Sequence, residues 1–200
     1  MRERILEIAR EKFFQFGFTR VTVDEIAHDL GVSKKTLYRH FPSKEALLRE
    51  IMKQTTGEIE AGIDRILNDR NSDFVEKLRG IWAWLASRLS KIGPAFQQDL
   101  QRHAPEVWKE VDQRRNQAIR RRFGTLFQKG VHSKAIRRDI NAELLVLIYL
   151  TLVQRIINPE TLSQLPLSMS QAFETIISVM FEGILTDRAR RRFRARAVCD

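Results

Sequence analysis

Apolar residues recur every three or four positions through most of the chain, the spacing that gives a helix one buried face. Over 3–16 the stripe is Ile5, Ile8, Ala9, Phe13 and Phe16, and Gly17 ends it. Short helices are predicted over 23–30 and 34–40, and a longer one over 44–67, where Leu47, Leu48, Ile51, Ile59, Ile63, Ile66 and Leu67 are the apolar positions. Phe74, Leu78, Ile81, Leu85, Leu89 and Ile92 carry the next, over 73–92. Pro94 and Pro105 bracket a short helix at 95–103, because proline opens helices and disfavours helical geometry in the residue before it. Helices over 106–129, 141–157 and 168–186 bring the expected number to nine. No strand-type alternation runs long enough to compete, and no internal repeat is evident. The segments 130–140 (GVHSKAIRRDI) and 158–167 (NPETLSQLPL) read as loops. Residues 187–200 (DRARRRFRARAVCD) lose the periodicity and read as a frayed or disordered tail.

The expected fold class is therefore all-α, and 200 residues are enough to bury a substantial core. Hydrophobic residues at 43% and charged residues at 30% are the balance of a soluble globular chain. Cys199, the single cysteine, excludes an internal disulfide framework and a Cys-based zinc site, and suits a reducing compartment. The opening RERILEIAREKF alternates charge with apolar residues and lacks the apolar run of a secretory signal. The longest nearly pure apolar run, Leu144–Val153, is half the length needed to span a bilayer, so a soluble intracellular protein without membrane partners is expected. Net charge is +10, concentrated in 101–138, with eleven basic residues against three acids, and in 187–200, with six against two. Such an excess favours polyanionic partners.

The most informative stretch is VTVDEIAHDLGVSKKTLYRHFPSK, residues 21–44. Thr22 stands where an N-cap belongs, with Glu25 three residues later as in a capping box, and Val21 and Ile26 occupy the positions of a hydrophobic staple. Ser33 repeats the device one helix on. Ile26, Ala27, Leu30, Val32 and Leu37 supply packing between the two helices, and Gly31 permits the tight turn. This is helix-turn-helix grammar, with the second helix as reader. Lys34, Lys35, Arg39 and Lys44 lie between 33 and 44, a window without acids. The reader helix would expose Lys34, Lys35, Thr36, Tyr38, Arg39 and His40 while burying Leu37 and Phe41. Cations and hydroxyls, Ser33 included, suit phosphate oxygens, and Lys or Arg suit guanine edges in the major groove. Ser43 would cap the next helix and set Lys44 at its N-terminus, a phosphate-binding geometry.

GVSKKTLYRHFPSKEALL resembles the DNA-binding signature of the TetR/AcrR family of bacterial regulators, and IAREKFFQFGFTRVTVDEIA resembles the segment before it. The resemblance covers about the first fifty residues. It implies a homodimer that binds a palindromic double-stranded DNA operator through its N-terminal helices and is released when a small molecule enters the C-terminal domain. It implies phosphate contacts at Thr22, Thr36, Tyr38, His40 and Lys44, and a share in base choice for Lys34, Lys35 and Arg39. The implied location is the cytoplasm, at the nucleoid when DNA is bound. Lys35 stands where many relatives have Gly or Ala, and minor-groove contact by a basic N-terminal arm, as in some relatives, is not expected. The domains expected are a DNA-binding domain at 1–50, a ligand-binding and dimerisation domain at 51–187, and an Arg-rich tail at 188–200. The helix over 44–67 crosses the first boundary without a flexible linker.

Residues 144–153 are apolar almost all round, which predicts burial on more than one side. In 168–186, Met169, Phe173, Ile176, Ile177, Met180 and Ile184 form one stripe, and Ala172, Val179 and Gly183 a neighbouring strip of smaller residues. The two helices fit an intrachain core or a four-helix seam between two copies; a two-fold reader favours the seam. On 106–129, Arg115 and Arg122 share a face with Val107, Trp108, Val111, Ala118, Ile119 and Leu126. A guanidinium on an apolar stripe needs an anion, either an acid of the 139–186 segment (Glu143, Glu160, Glu174 or Glu182) or an anionic effector. Trp82, Trp84, Phe96, Leu100, His103, Trp108 and Tyr149 are the other candidate contacts for an effector, apolar or anionic; such residues are more often core than ligand contacts, and His103 before Pro105 also fits a surface position.

Catalysis finds no support. His28, His40, His103 and His132 are scattered without metal-ligand spacing, and no nucleophile elbow, HExxH or phosphate-binding glycine loop occurs, so neither cofactor nor metal is expected. The leading function is a ligand-responsive transcriptional repressor. The alternative is an effector-independent DNA-binding structural protein of the same fold, whose core would be filled.

Overall fold

The structure, a computed structural model, describes residues 1–157, 159–162 and 164–195. These form helices α1 (Arg2–Phe16), α2 (Val23–Leu30), α3 (Lys34–His40), α4 (Lys44–Asn68), α5 (Phe74–Leu89), α6 (Pro94–His103), α7 (Pro105–His132), α8 (Ala142–Ile156), α9 (Pro159–Leu162), α10 (Met169–Ile184) and α11 (Asp187–Ala195). All nine expected helices are present, with ends shifted by at most three residues. α9 is a single turn inside the expected loop at 158–167. α7 runs on through Gly130 to His132 and stops where Lys134 takes a positive φ of 59°.

The tail departs from expectation, because residues 187–195 are helical. The reason lies outside the segment: Ile136 pairs with Leu185 in an isolated bridge, and Thr186 N donates to Ala135 O at 3.0 Å. The chain therefore enters α11 already docked, Ala189 is buried, and Arg190 Nη2 donates to Leu185 O. Residues 196–200, with Cys199, lie outside the described residues.

The chain packs as two compact units. The first comprises Met1–Glu58 and Ser90–Arg114, a wider set than the 1–50 segment. Ile5, Ala9 and Phe13 of α1, Ile26 of α2, Leu37 of α3 and Leu47, Leu48 and Ile51 of α4 are completely buried in its core. Three short helices cannot close such a core by themselves, and Phe96, Leu100, Ala104 and Val107 complete it. The docking of α6 is specific. Gly93 N donates to Phe14 O at 2.9 Å, the Phe14 and Phe96 rings lie 4.9 Å apart, and Thr19 N donates to Asp99 Oδ2 at 2.7 Å.

The second unit comprises Ile59–Leu89 and Arg115–Asp200. Its core is aromatic: the Trp82 ring lies 5.6 Å from Phe123, 5.8 Å from Tyr149, 5.2 Å from Phe173 and 5.7 Å from Phe181. Gly62 lets α4 approach α5, since any Cβ there would overlap the Trp84 indole, whose Nε1 donates to Ile59 O at 3.2 Å. On α10 the stripe Phe173, Ile176, Ile177, Met180 and Ile184 turns into this unit's own core, and Ala172 goes with it. That corrects the expectation that this stripe belongs to a seam. Among the described residues of α8 and α10, the exposed large apolar side chains are Leu144 (54%), Leu147 (51%) and Ile148 (43%) on α8, and Val179 (71%) on α10.

Candidate nucleic-acid interface

Capping sets up the reader. Thr22 Oγ1 accepts from Glu25 N at 3.1 Å, and the Glu25 carboxylate accepts from Thr22 N at 2.7 Å, the reciprocal box expected from sequence. Those hydrogen bonds hold the Glu25 carboxyl below the usual carboxylate range. α2 ends at Gly31 with φ 67° and ψ 33°, left-handed geometry that glycine adopts without strain. Ser33 Oγ then accepts from Thr36 N at 3.1 Å and shares a hydrogen bond with Thr36 Oγ1 at 2.9 Å, starting α3.

α3 buries Leu37 and, just past its end, Phe41. Ser33, Lys34, Lys35, Tyr38 and Arg39 are exposed, whereas Thr36 and His40 are half-buried. The structure thus brings the candidate DNA contacts on and beside α3 together, but their charges are not equivalent. Lys34 Nζ pairs with Asp24 Oδ2 of α2 at 2.8 Å, which raises its pKa. Lys35 and Arg39 have no such partner among the described residues. Counting charge by window could not detect the Lys34 pair, because Asp24 lies ten positions earlier and meets Lys34 only when the two helices cross.

Lys44 is also engaged. Ser43 Oγ caps α4 by accepting from Ala46 N at 3.0 Å, as expected. The Lys44 ammonium lies 4.5 Å from the centroid of the Phe18 ring and 5.8 Å from that of Phe13, and donates to Thr19 O at 3.4 Å. Burial lowers its pKa, with Asp99 and Glu25 acting in the opposite direction. Lys44 therefore ties the start of α4 to the turn between α1 and α2.

The nine candidate effector contacts do not form one constellation. Phe96 and Leu100 lie in the first unit's core, Trp108 packs half-buried against it, and His103 is exposed. Trp82 and Tyr149 belong to the second unit's core, and Trp84 packs against it beneath the Arg88 guanidinium, 4.0 Å above the ring. Arg122 makes a bidentate pair with Asp64, both contacts at 2.7 Å, and reaches Glu60 at 3.4 Å. Its anions come from α4 and not from the 139–186 segment, because the α4–α7 packing decides which acids it meets. Arg115 lies close enough to Tyr149 for its charge to oppose the upward shift that burial imposes on the phenol.

The family model for bacterial regulatory proteins of the tetR family matches residues 5–51, from α1 through the reader into α4. The chain belongs to the TetR family. It is a DNA-binding transcriptional regulator, and regulators of the TetR family are not enzymes. Similarity extends beyond the reader. The chain is 25% identical over 190 residues to the HTH-type transcriptional regulator YvaF of Bacillus subtilis, covering 94% of this chain and 97% of YvaF. It is 24% identical over 194 residues to the HTH-type transcriptional repressor KstR2 of Mycolicibacterium smegmatis, covering 92% and 90% respectively. The fold matches that of a TetR-family regulator from Marinobacter aquaeolei with a TM-score of 0.73 at 20% identity, over 98% of this chain and 96% of the other. Among the described residues, no helix of this TetR-family chain is long and apolar enough to cross a membrane.

Proposed function

We propose that this regulator is a homodimeric repressor that holds a palindromic operator and leaves it when a small molecule enters the second unit. In this reading residues 1–50 contact DNA through Thr22, Ser33, Lys34, Lys35, Thr36, Tyr38, Arg39, His40 and Lys44, and 51–187 supply the dimer and the effector site. The observation that carries it is the uncovered apolar face of Leu144, Leu147, Ile148 and Val179, in a chain that also carries a helix-turn-helix. Exposed apolar residues grouped on two helices are costly in water and suit a self-complementary seam. A second copy would give the reader the two-fold symmetry that half-sites about 34 Å apart require. The similarity to a named repressor, over nearly the whole chain, supports repression as the outcome.

The ring packing around Trp82 favours a second reading, an effector-independent DNA-binding protein with a filled core. One experiment separates the two. Protein is titrated onto a palindrome from the DNA upstream of its gene, and onto a single half-site, with and without a small-molecule library. Dimeric binding to the palindrome that some ligand weakens is the expected result. Binding that no ligand alters would favour the second reading, and equal affinity for palindrome and half-site would overturn the dimer.

A further inference from the structure

Several buried donor atoms in the second unit have no acceptor among the described residues, and two of them stand close together on α5. Trp82 is 8% exposed, yet its Nε1 has no hydrogen-bond partner. Arg79 Nη1 is likewise buried and unpartnered. The two residues stand three apart on α5, on the flank that also carries Val75 and Ala86. Residues at this spacing are neighbours on a helix surface, about 5–6 Å apart at Cβ. Arg122 in the same unit shows the usual arrangement, a guanidinium held by carboxylates of the chain itself. Arg79 differs, since no acid among the described residues pairs with it. Leaving a charged N–H and an indole N–H without an acceptor from the chain costs free energy that an acceptor from outside the chain would recover.

We propose that Arg79 and Trp82 form the polar end of a site for a monocarboxylate with an apolar body. One uncompensated guanidinium and one neutral donor match a single carboxylate, whose two oxygens can each accept, better than a doubly charged phosphate. An apolar body is required because Phe123, Tyr149, Phe173 and Phe181 pack about the Trp82 ring, and these rings would have to part to admit it. The inference rests on the effector reading above and specifies the ligand's chemical class.

The test uses the full chain, with decanoate and 2-naphthoate as probes and decanol and 2-naphthalenemethanol as their uncharged counterparts. Calorimetric titration and thermal unfolding are read on wild type, Arg79→Met, Arg79→Lys and Trp82→Phe. A carboxylate is expected to bind wild type and raise its Tm, while its alcohol does so at least tenfold more weakly. Removing a hydrogen bond to a charged group corresponds to roughly ten- to a hundredfold in affinity, which is the drop expected for Arg79→Met. Arg79→Lys should recover part of it, and Trp82→Phe should weaken binding less. Without ligand, Arg79→Met should melt no lower than wild type, because the charge it removes is unpaired. Equal binding of acid and alcohol, unchanged by Arg79→Met, would overturn the carboxylate site while leaving the effector reading intact. A stability gain in Arg79→Met with no probe bound to wild type would overturn the site too; the library titration on operator DNA then decides the effector reading separately.

Discussion

Lys35, Arg39 and Lys44 are all cations of the reader region, but their surroundings divide the work among them. Lys35 and Arg39 are exposed and, among the described residues, uncompensated, whereas the Lys44 ammonium lies over Phe18 and bonds to the Thr19 carbonyl. Arg39→Ala and Lys35→Ala are therefore expected to leave the fold unchanged and to lower operator discrimination by about 1–3 kcal/mol for each bidentate base pairing removed. Lys44→Ala is expected to weaken every duplex alike and to reduce the salt slope by about one unit. It should also lower stability by ~1 kcal/mol, because the cation–π interaction and the hydrogen bond to Thr19 disappear with the side chain. Binding isotherms on operator and scrambled duplexes, with urea unfolding of each variant, separate these outcomes. Equal weakening on both duplexes for Arg39→Ala would assign that residue to phosphate. Lys34 stands between the two cases, since binding to DNA has to compete with its ion pair to Asp24.

At the scale of elements, α8 and α10 each bury one face in their own unit and leave another uncovered. The periodicity of α10 alone suggests that Ile177 would face a partner, but Ile177 is buried in the core of its own unit and Val179 is the exposed residue. The two positions should then respond differently to charge. Val179→Glu or Leu147→Glu is expected to yield a folded monomer with weakened operator binding and nearly unchanged helix content. Ile177→Glu should instead destabilise the chain by several kcal/mol, on the order of 3 or more, because it buries an unpaired carboxylate. Sedimentation equilibrium and circular dichroism report the difference; a Val179→Glu dimer as tight as wild type would show that this face is not the seam. α11 gives the same lesson in reverse, as a segment with weak local pattern that is ordered by docking of its first turn.

At the scale of the whole molecule, α4 and α7 are the two helices that run through both packing units, and each unit ties them together with an ion pair. In the first unit Arg49 Nε bonds the Glu110 carboxylate at 3.1 and 3.2 Å; in the second Arg122 holds Asp64 and Glu60. A ligand can shift the regulator only if it prefers one conformation of the chain over another, and these helices are the continuous elements on which such a preference can act. Arg122→Met is expected to cost roughly 1–2 kcal/mol at neutral pH, less than a fully buried pair because Asp64 is half exposed. Arg122 holds the Asp64 carboxyl below its ordinary value. This contribution is therefore complete above the unfolded aspartate pKa, about 3.9, and disappears as the pH falls through the lower folded value. Urea unfolding across that range should show the wild-type advantage shrinking only in acid. A gap independent of pH would mean that Arg122 acts by packing.

The helices themselves, the reader and its caps were legible in the sequence because their causes are local. A stripe every three or four residues, a Thr22–Glu25 box and a turn glycine at 31 act over a few positions, whatever the rest of the chain does. Pairing across helices was not legible: Asp24 with Lys34, Asp64 with Arg122, Phe96 with Phe14, and the bridge that orders α11 each join positions ten or more residues apart. The candidate effector residues illustrate the limit, since one set of aromatic and basic side chains divides between two cores once the chain packs. The sequence could say that Arg79, Arg115 and Arg122 are all arginines on helices that carry an apolar stripe. Only the packing decided that Arg122 meets two carboxylates while Arg79 meets none among the described residues, because compensation depends on which side chains come within hydrogen-bond reach, and tertiary structure alone sets that distance.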